Sequence, residues 1–390
     1  MSKSRILVTC PKRMTVFLKQ EMIALGFPII GEAFAGITTE GTLADTMRLN
    51  LHLRTAHRVL YLLKDFRAAT PADLYYHTSR IPWETIVPDN GYVSVVSAVE
   101  TPSINNTQFA NVKCKDAIVD RIRTKTSKRP DSGSETNRTV VFLYWKANDC
   151  CIYIDTSGES LSKRGYRKLP HAAPMRETLA AAVIMATRWD RESNFINPMC
   201  GSGTLAIEAA LIATNAAPGL LRENFGFMHV REYDENAWES MLSSARSAVA
   251  PFKGRIIATD HDAKAIFSVM ENARLAGVGD LVESSLADFR ETPVPEGGGV
   301  VVLNPEYGDR LGEEEDLEEV YKEIGDFFKQ KCSGYTGYIF TGNMDLAKKV
   351  GLRAKRKFEF YNADIDCRLL EYELYSGTKK YDSHVETVQG

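Results

Sequence analysis

Asn304, Pro305, Glu306 and Tyr307, four consecutive residues of unlike chemistry, end the apolar run Val300-Val301-Val302-Leu303. A buried strand has no use for an amide, a proline, a carboxylate and a phenol at its end. A site that handles an amine does. An exocyclic amine on an aromatic ring is a poor nucleophile, because its lone pair is delocalised into the ring. A carboxamide oxygen and a backbone carbonyl that accept its two N–H bonds redirect that lone pair toward an electrophile, and a proline fixes the backbone that presents them. Asn304 and Pro305 are therefore the expected catalytic pair. Tyr307 is expected to stack on the base that carries the amine, worth roughly 1–3 kcal/mol. Such chemistry needs neither a metal nor a strong base.

A second group lies a hundred residues earlier, in NPMCGSGTLAIEAA (197–210), a strand, a glycine turn and a helix. Gly201 and Gly203 let a backbone approach a ligand closely, and the helix start at Thr204 offers free N–H groups and the positive end of a dipole. The G-x-G-x-x-A pattern alone also fits dinucleotide binders. Its context narrows it: the next strand ends in Asp260, placed to hold ribose hydroxyls, and the one after in Asp288, placed beside a bound adenine. The expected separation of turn and acid is about 20 residues. Here Gly203 and Asp260 are 57 apart, so residues 217–253 read as an insertion with its own helix.

These groups need a scaffold. From about residue 172 helical patterns alternate with buried strand patterns, which implies a parallel sheet covered on both faces, and RKFEFYNADIDCRLLEYELYS adds an antiparallel hairpin at its edge. The fold class is thus α/β, a Rossmann-like sheet with an antiparallel edge strand. Residues 1–65 read as a small α+β unit, 66–165 as a second mixed unit, 166–380 as the sheet domain and 381–390 as a flexible tail.

At 390 residues the chain has room for two or three cores, and 44% apolar with 25% charged residues is ordinary for a globular protein. No apolar run is long enough for a membrane span and no signal peptide opens the chain, so a cytoplasmic protein without a membrane partner is expected. The seven cysteines are scattered and never spaced C-x-x-C, which predicts free thiols and no metal site. Net charge is −3, yet residues 101–170 hold thirteen basic against seven acidic side chains. On the helical stretch NTQFANVKCKDAIVDRIRTKT, Phe109, Val112, Ala117 and Ile118 are expected to face inward, with Lys113, Arg121 and Lys125 outward. That outward face is either simply solvated or makes phosphate contacts. Arg164, Tyr166 and Arg167 cluster in the joining segment KRGYR and are the stronger RNA candidates. Trp145 and Tyr144 read as core residues before base-stacking ones.

NPMCGSGTLAIEAA followed by NPEYGDRLG resembles the D-P-M-C-G-S-G-T and N-P-P-Y-G-E-R-L pair of class I, S-adenosylmethionine-dependent RNA guanine-N2 methyltransferases that carry a THUMP domain. The similarity extends to TCPKRMTVFLKQEMIALG, NTQFANVKCKDAIVDRIR, LSKRGYRKLPHAAPMRETLAAA and ADIDCRLLEYEL, and is greatest to the N-terminal half of the bifunctional enzymes of bacterial 23S ribosomal RNA. The resemblance implies a ferredoxin-like unit over 1–65, a THUMP RNA-binding domain over 66–165 and a methyltransferase domain beyond. It implies S-adenosyl-L-methionine as cofactor, held by Thr178, Asn197, Gly201, Gly203, Thr204, Asp260 and Asp288, with Arg176, Glu177 and Thr178 near its methionine end. It implies ribosomal RNA as partner and N2-methylguanosine as product. A tRNA guanine as substrate, and an RNA-binding assembly protein with a vestigial methyltransferase fold, are the alternatives. Two positions depart from the pattern. Asn197 keeps an acceptor but loses the aspartate's charge. Glu306, in place of the second proline, puts a carboxylate where it meets guanine's N1–H and N2–H edge or repels phosphate.

Overall fold

The computed structural model describes residues 2–168, 175–307 and 314–375. The expected tail at 381–390 lies outside them. Strands β1 (Ser4–Thr9), β2 (Gly31–Ala33), β3 (Gly36–Gly41), β4 (Arg58–Arg67), β5 (Tyr92–Glu100), β6 (Asp131–Gly133), β7 (Thr139–Lys146) and β8 (Asp149–Asp155) form one sheet in the order β2-β3-β1-β4-β8-β7-β5-β6. The join is the antiparallel pairing of β4 with β8, from Leu60 opposite Asp155 to Arg67 opposite Asp149. The stretches read as two units thus share a continuous sheet. Capping boxes of Thr42 with Asp45 and Thr70 with Asp73 open the helices Leu43–His52 and Pro71–Ser79 over it. Trp145 is fully buried and donates from Nε1 to the Ala68 carbonyl at 3.1 Å, as a core residue should.

The long helix Thr107–Thr126 corrects the expected facing. Its buried stripe is Ala110, Cys114, Ala117, Ile118, Val119 and Ile122, while Phe109 and Val112 are 48% and 47% exposed. The small residues Ala110 and Cys114 set the phase, because they let the helix approach its neighbours.

The second sheet contains β9 (Asn194–Pro198), β10 (Ile256–Asp260), β11 (Val282–Leu286), β12 (Gly299–Leu303), β13 (Tyr335–Thr341), β14 (Arg356–Asn362) and β15 (Ile365–Glu373), in the order β11-β10-β9-β12-β13-β15-β14. β9 to β13 are parallel, and β15 runs antiparallel to both β13 and β14. Strands β9 and β10 are buried at every position, as a sheet covered on both faces demands, whereas the edge strands β11 and β14 are partly exposed. The chain steps outward from β9 to β10 and β11, then returns to the other side of β9 as β12. That reversal opens a crevice at the carboxyl ends of β9 and β12, the place where open α/β sheets bind ligands.

The insertion after the glycine-turn helix joins the two sheets. Arg222 donates to the carbonyls of Ser160 at 2.9 Å, Ser157 and Glu159 at 3.1 Å and Lys163 at 3.2 Å. The Phe227 N–H reaches the Thr156 carbonyl at 3.0 Å, Thr139 Oγ1 reaches the His229 carbonyl at 2.7 Å, and Arg231 Nε reaches the Val87 carbonyl at 3.0 Å. Gly226 allows this approach: a Cβ there would lie 2.1 Å from the Asp155 carbonyl oxygen. Among the described residues no group could hold a metal ion, no helix is long and apolar enough to cross a membrane, and all seven cysteines are free.

Candidate active site

The glycine turn forms where β9 meets the helix Thr204–Ala213. Gly201 has φ +53° and Gly203 φ +80°, a region where a side chain strains the backbone. The Gly201 N–H donates to Asp260 Oδ2 at 2.9 Å, and the other carboxylate oxygen accepts from the Asp262 N–H at 3.0 Å. Asp260 therefore ties the turn to the end of β10. Each oxygen keeps a further lone pair for a ligand hydroxyl. Burial, and then the nearby Asp260, push the thiol of Cys200, inside the turn, above its ordinary range.

Asn197 is fully buried, and its Nδ2 donates to the Val302 carbonyl on the neighbouring β12 at 2.9 Å. An ionised aspartate could not donate that bond. Asn197 Oδ1 is buried without a hydrogen-bond partner among the described residues, as are Thr178 Oγ1 and Asn304 Oδ1. Buried polar atoms are seldom left unsatisfied. Three of them stand at the ends of β9 and β12 and at the start of the helix Glu177–Ala186.

Asn304 follows β12 directly and Pro305 is buried behind it. The Tyr307 ring is half-buried, edge-on to Phe340 with centroids 6.4 Å apart, and its hydroxyl accepts from Asn362 Nδ2 at 2.9 Å. Burial pushes its phenol above the usual range. Gly342 leaves room for that ring, since a Cβ there would lie 2.8 Å from it. Asn362 sits 55 residues away at the end of β14, and no motif pointed to it.

Asp288 lies two residues beyond β11 and meets the guanidinium of Arg290 with both oxygens, at 2.7 and 2.9 Å. This pair holds its carboxyl below the ordinary range. Arg290 also meets Glu323 at 2.6 Å. An adenine contact at Asp288 would share it with that arginine.

Two of the residues expected to touch RNA are interior. Arg164 is 1% and Tyr166 2% exposed. Arg164 donates to the carbonyls of Leu161 and Arg54, and both side chains face Glu208 of the glycine-turn helix, Tyr166 Oη at 3.2 Å. Their types and spacing suggested a basic surface; the sequence holds no sign that a buried carboxylate waits for them. Arg167 is also turned inward. Its Nη2 donates to the Met175 carbonyl at 2.6 Å and to Thr204 Oγ1 at 2.9 Å, and its Nε lies 3.4 Å from Glu177 Oε1. Burial pushes the Glu177 carboxyl up, and Arg167 pulls it back down. On the long helix Arg121 forms a two-pronged pair with Glu84, at 2.6 and 3.0 Å. Lys113 lies 5.8 Å over the Tyr75 ring, and Lys125 is exposed.

Residues 5–60, 68–155 and 164–371 match in order the families described as RlmL ferredoxin-like domain, THUMP domain, and RMKL-like methyltransferase domain. The ribosomal RNA large subunit methyltransferase K/L of Syntrophotalea carbinolica is 36% identical over 381 residues, 95% of this chain and 53% of that protein. The chain therefore spans about half the length of the relatives of that name. The protein slr0064 of Synechocystis sp., provisionally named an RNA methyltransferase, is 32% identical over 372 residues, 94% of this chain and 96% of its own length. Among solved structures, SMU.472, a provisionally assigned methyltransferase complexed with SAH, superposes with a TM-score of 0.87 at 26% identity, covering 97% of this chain and all of that one.

Proposed function

The chain belongs to the RMKL-like methyltransferase family, and from that premise we propose that it transfers a methyl group from S-adenosylmethionine to the exocyclic N2 of a guanine in ribosomal RNA. The cofactor supplies a methyl group on a positively charged sulfur and leaves as S-adenosylhomocysteine, the molecule bound to the SMU.472 structure, and the amine sheds one proton to solvent after gaining the methyl group. The residues present fit it. The unpartnered acceptors Asn197 Oδ1 and Thr178 Oγ1 suit an ammonium group. The glycine turn and the helix start at Thr204 suit a carboxylate. Asp260 suits a ribose diol, and Asp288, shared with Arg290, the adenine.

The observation that carries the reading is the buried, unpartnered Asn304 Oδ1 at the end of β12. It accepts one N–H of the guanine 2-amino group. The backbone carbonyl at Pro305 accepts the other, so the nitrogen lone pair is no longer spread into the ring. Tyr307, anchored through Asn362, offers the ring against which the base lies. The N-terminal sheet, which includes the THUMP match, supplies the RNA contacts, and Lys113 and Lys125 are the cations on its long helix that remain candidates for phosphate. Ribosomal RNA is favoured by the K/L relatives' name.

Tritiated S-adenosylmethionine with ribosomal RNA and tRNA from cells lacking the gene tests this. Label recovered as N2-methylguanosine in ribosomal RNA, and absent with Asn304→Ala, supports the reading. Label in tRNA moves the substrate, label on adenine moves the base, and a protein that neither binds the cofactor nor transfers label overturns the proposal.

A further inference from the structure

Of the four residues Asn304 to Tyr307, Glu306 alone is exposed. Asn304 Oδ1 is buried, Pro305 is buried, and Tyr307 is half-buried with its hydroxyl held by Asn362. Glu306 is exposed, and its carboxylate has no hydrogen-bond or ion-pair partner among the described residues. Its backbone carbonyl accepts from Tyr321 Oη at 3.4 Å. An exposed carboxylate beside the site of an RNA base repels the phosphates on either side of that base, which weakens binding unless the base itself meets it.

Guanine and adenine present opposite groups next to the reacting amine. Beside guanine's 2-amino group the ring N1 carries a proton; beside adenine's 6-amino group the ring N1 is a lone pair. A carboxylate accepts from the first and is repelled by the second. Resting on the methyl-transfer reading above, we infer that Glu306 is a specificity-determining residue: its carboxylate accepts the N1–H of the target guanine while Asn304 Oδ1 accepts from the neighbouring amine, and adenine is rejected because its N1 would face an anion. The proline that stands here in the related motif could make no such contact. The N1–H bond to an anion also raises the electron density of the N1–C2–N2 unit, which favours attack by N2.

The test exchanges donor for acceptor on both sides. Once the methylated nucleotide is mapped, synthetic RNAs carry guanosine or 2-aminopurine riboside at that position. The second keeps the 2-amino group but has a lone pair at N1. Wild-type protein is expected to prefer guanosine about 100-fold in kcat/KM, since a site built to accept a proton rejects a base lacking it. Glu306→Gln, whose amide can donate, is expected to lose activity on guanosine and gain on 2-aminopurine, narrowing the ratio at least about tenfold. Glu306→Ala loses the preference without the gain, and cofactor affinity is unchanged in both. A preference that survives both substitutions overturns the inference. So does tighter binding of both RNAs with an unchanged ratio, which makes Glu306 a phosphate repeller only. If wild-type protein forms no N2-methylguanosine at all, the methyl-transfer reading itself fails and the inference falls with it.

Discussion

Arg167 Nη2 and Thr204 Oγ1 lie 2.9 Å apart, and the same nitrogen reaches the Met175 carbonyl at 2.6 Å. One guanidinium thus holds the starts of the helices Glu177–Ala186 and Thr204–Ala213 in register, between Thr178 and the glycine turn. Arg167→Ala is expected to weaken S-adenosylmethionine binding about tenfold, equal to about 1.4 kcal/mol, and to leave RNA affinity unchanged. Isothermal titration of cofactor beside RNA filter binding checks it. Lost RNA affinity with normal cofactor binding would return Arg167 to the surface role that its sequence context suggested.

On the proposed reading, Asn304→Ala removes the acceptor that orients the amine and leaves the residues proposed for the cofactor in place. Methyl transfer is expected to fall about 100-fold or more, in line with removal of one preorganised hydrogen-bonding group. Single-turnover transfer reads the loss. Cofactor affinity measured on the same preparation should stay within about twofold of wild type, the spread expected of a residue that does not touch it.

Arg222→Ala strips the donor from the carbonyls of Ser157, Glu159, Ser160 and Lys163. Leaving such carbonyls without a partner is expected to cost about 2 kcal/mol or more. The loss should appear as a lower Tm and as earlier cleavage between the two sheets in limited proteolysis. An unchanged melting profile would mean that water replaces the guanidinium at no net cost.

His57 gives the protein a pH dependence of defined sign. Burial, followed by the charges of Arg176, Arg58 and Arg164, lowers it from 6.5 to about 4. Between those values the unfolded chain binds a proton that the folded protein refuses. Stability is therefore fully present above about pH 6.5 and is lost as pH falls toward 4, by on the order of 1–3 kcal/mol. His52 and His229, also lowered by burial, add in the same direction. Denaturant titrations of wild type and His57→Gln between pH 7 and 4 should show a shallower slope in the variant.

Lys125 is exposed on the long helix, whereas Arg121 is paired with Glu84 and Arg164 is interior. Lys125→Ala should lower RNA affinity and reduce the salt slope of binding by about one. Arg164→Ala should instead reduce stability and leave the slope alone. Equal slopes for wild type and Lys125→Ala would place the RNA on another face.

The sequence by itself determined the alternation of helices and buried strands from β9 onward, the glycine turn, the acid ending β10 and the amide and proline ending β12. These are local facts: the period of apolar residues, a positive φ that only glycine bears easily, a cluster that no strand requires. The sequence could not decide where a long polar side chain points. Arg164 and Tyr166 look like a basic surface and are interior, because Glu208, more than 40 residues on, is brought against them by folding. Arg167 became a clamp between two helix starts for the same reason, and Asn362 became the anchor of Tyr307. The insertion had no legible purpose until its carbonyl and guanidinium contacts joined the two sheets. Each depends on partners distant along the chain, and only the tertiary structure chooses among the partners available to a flexible polar group.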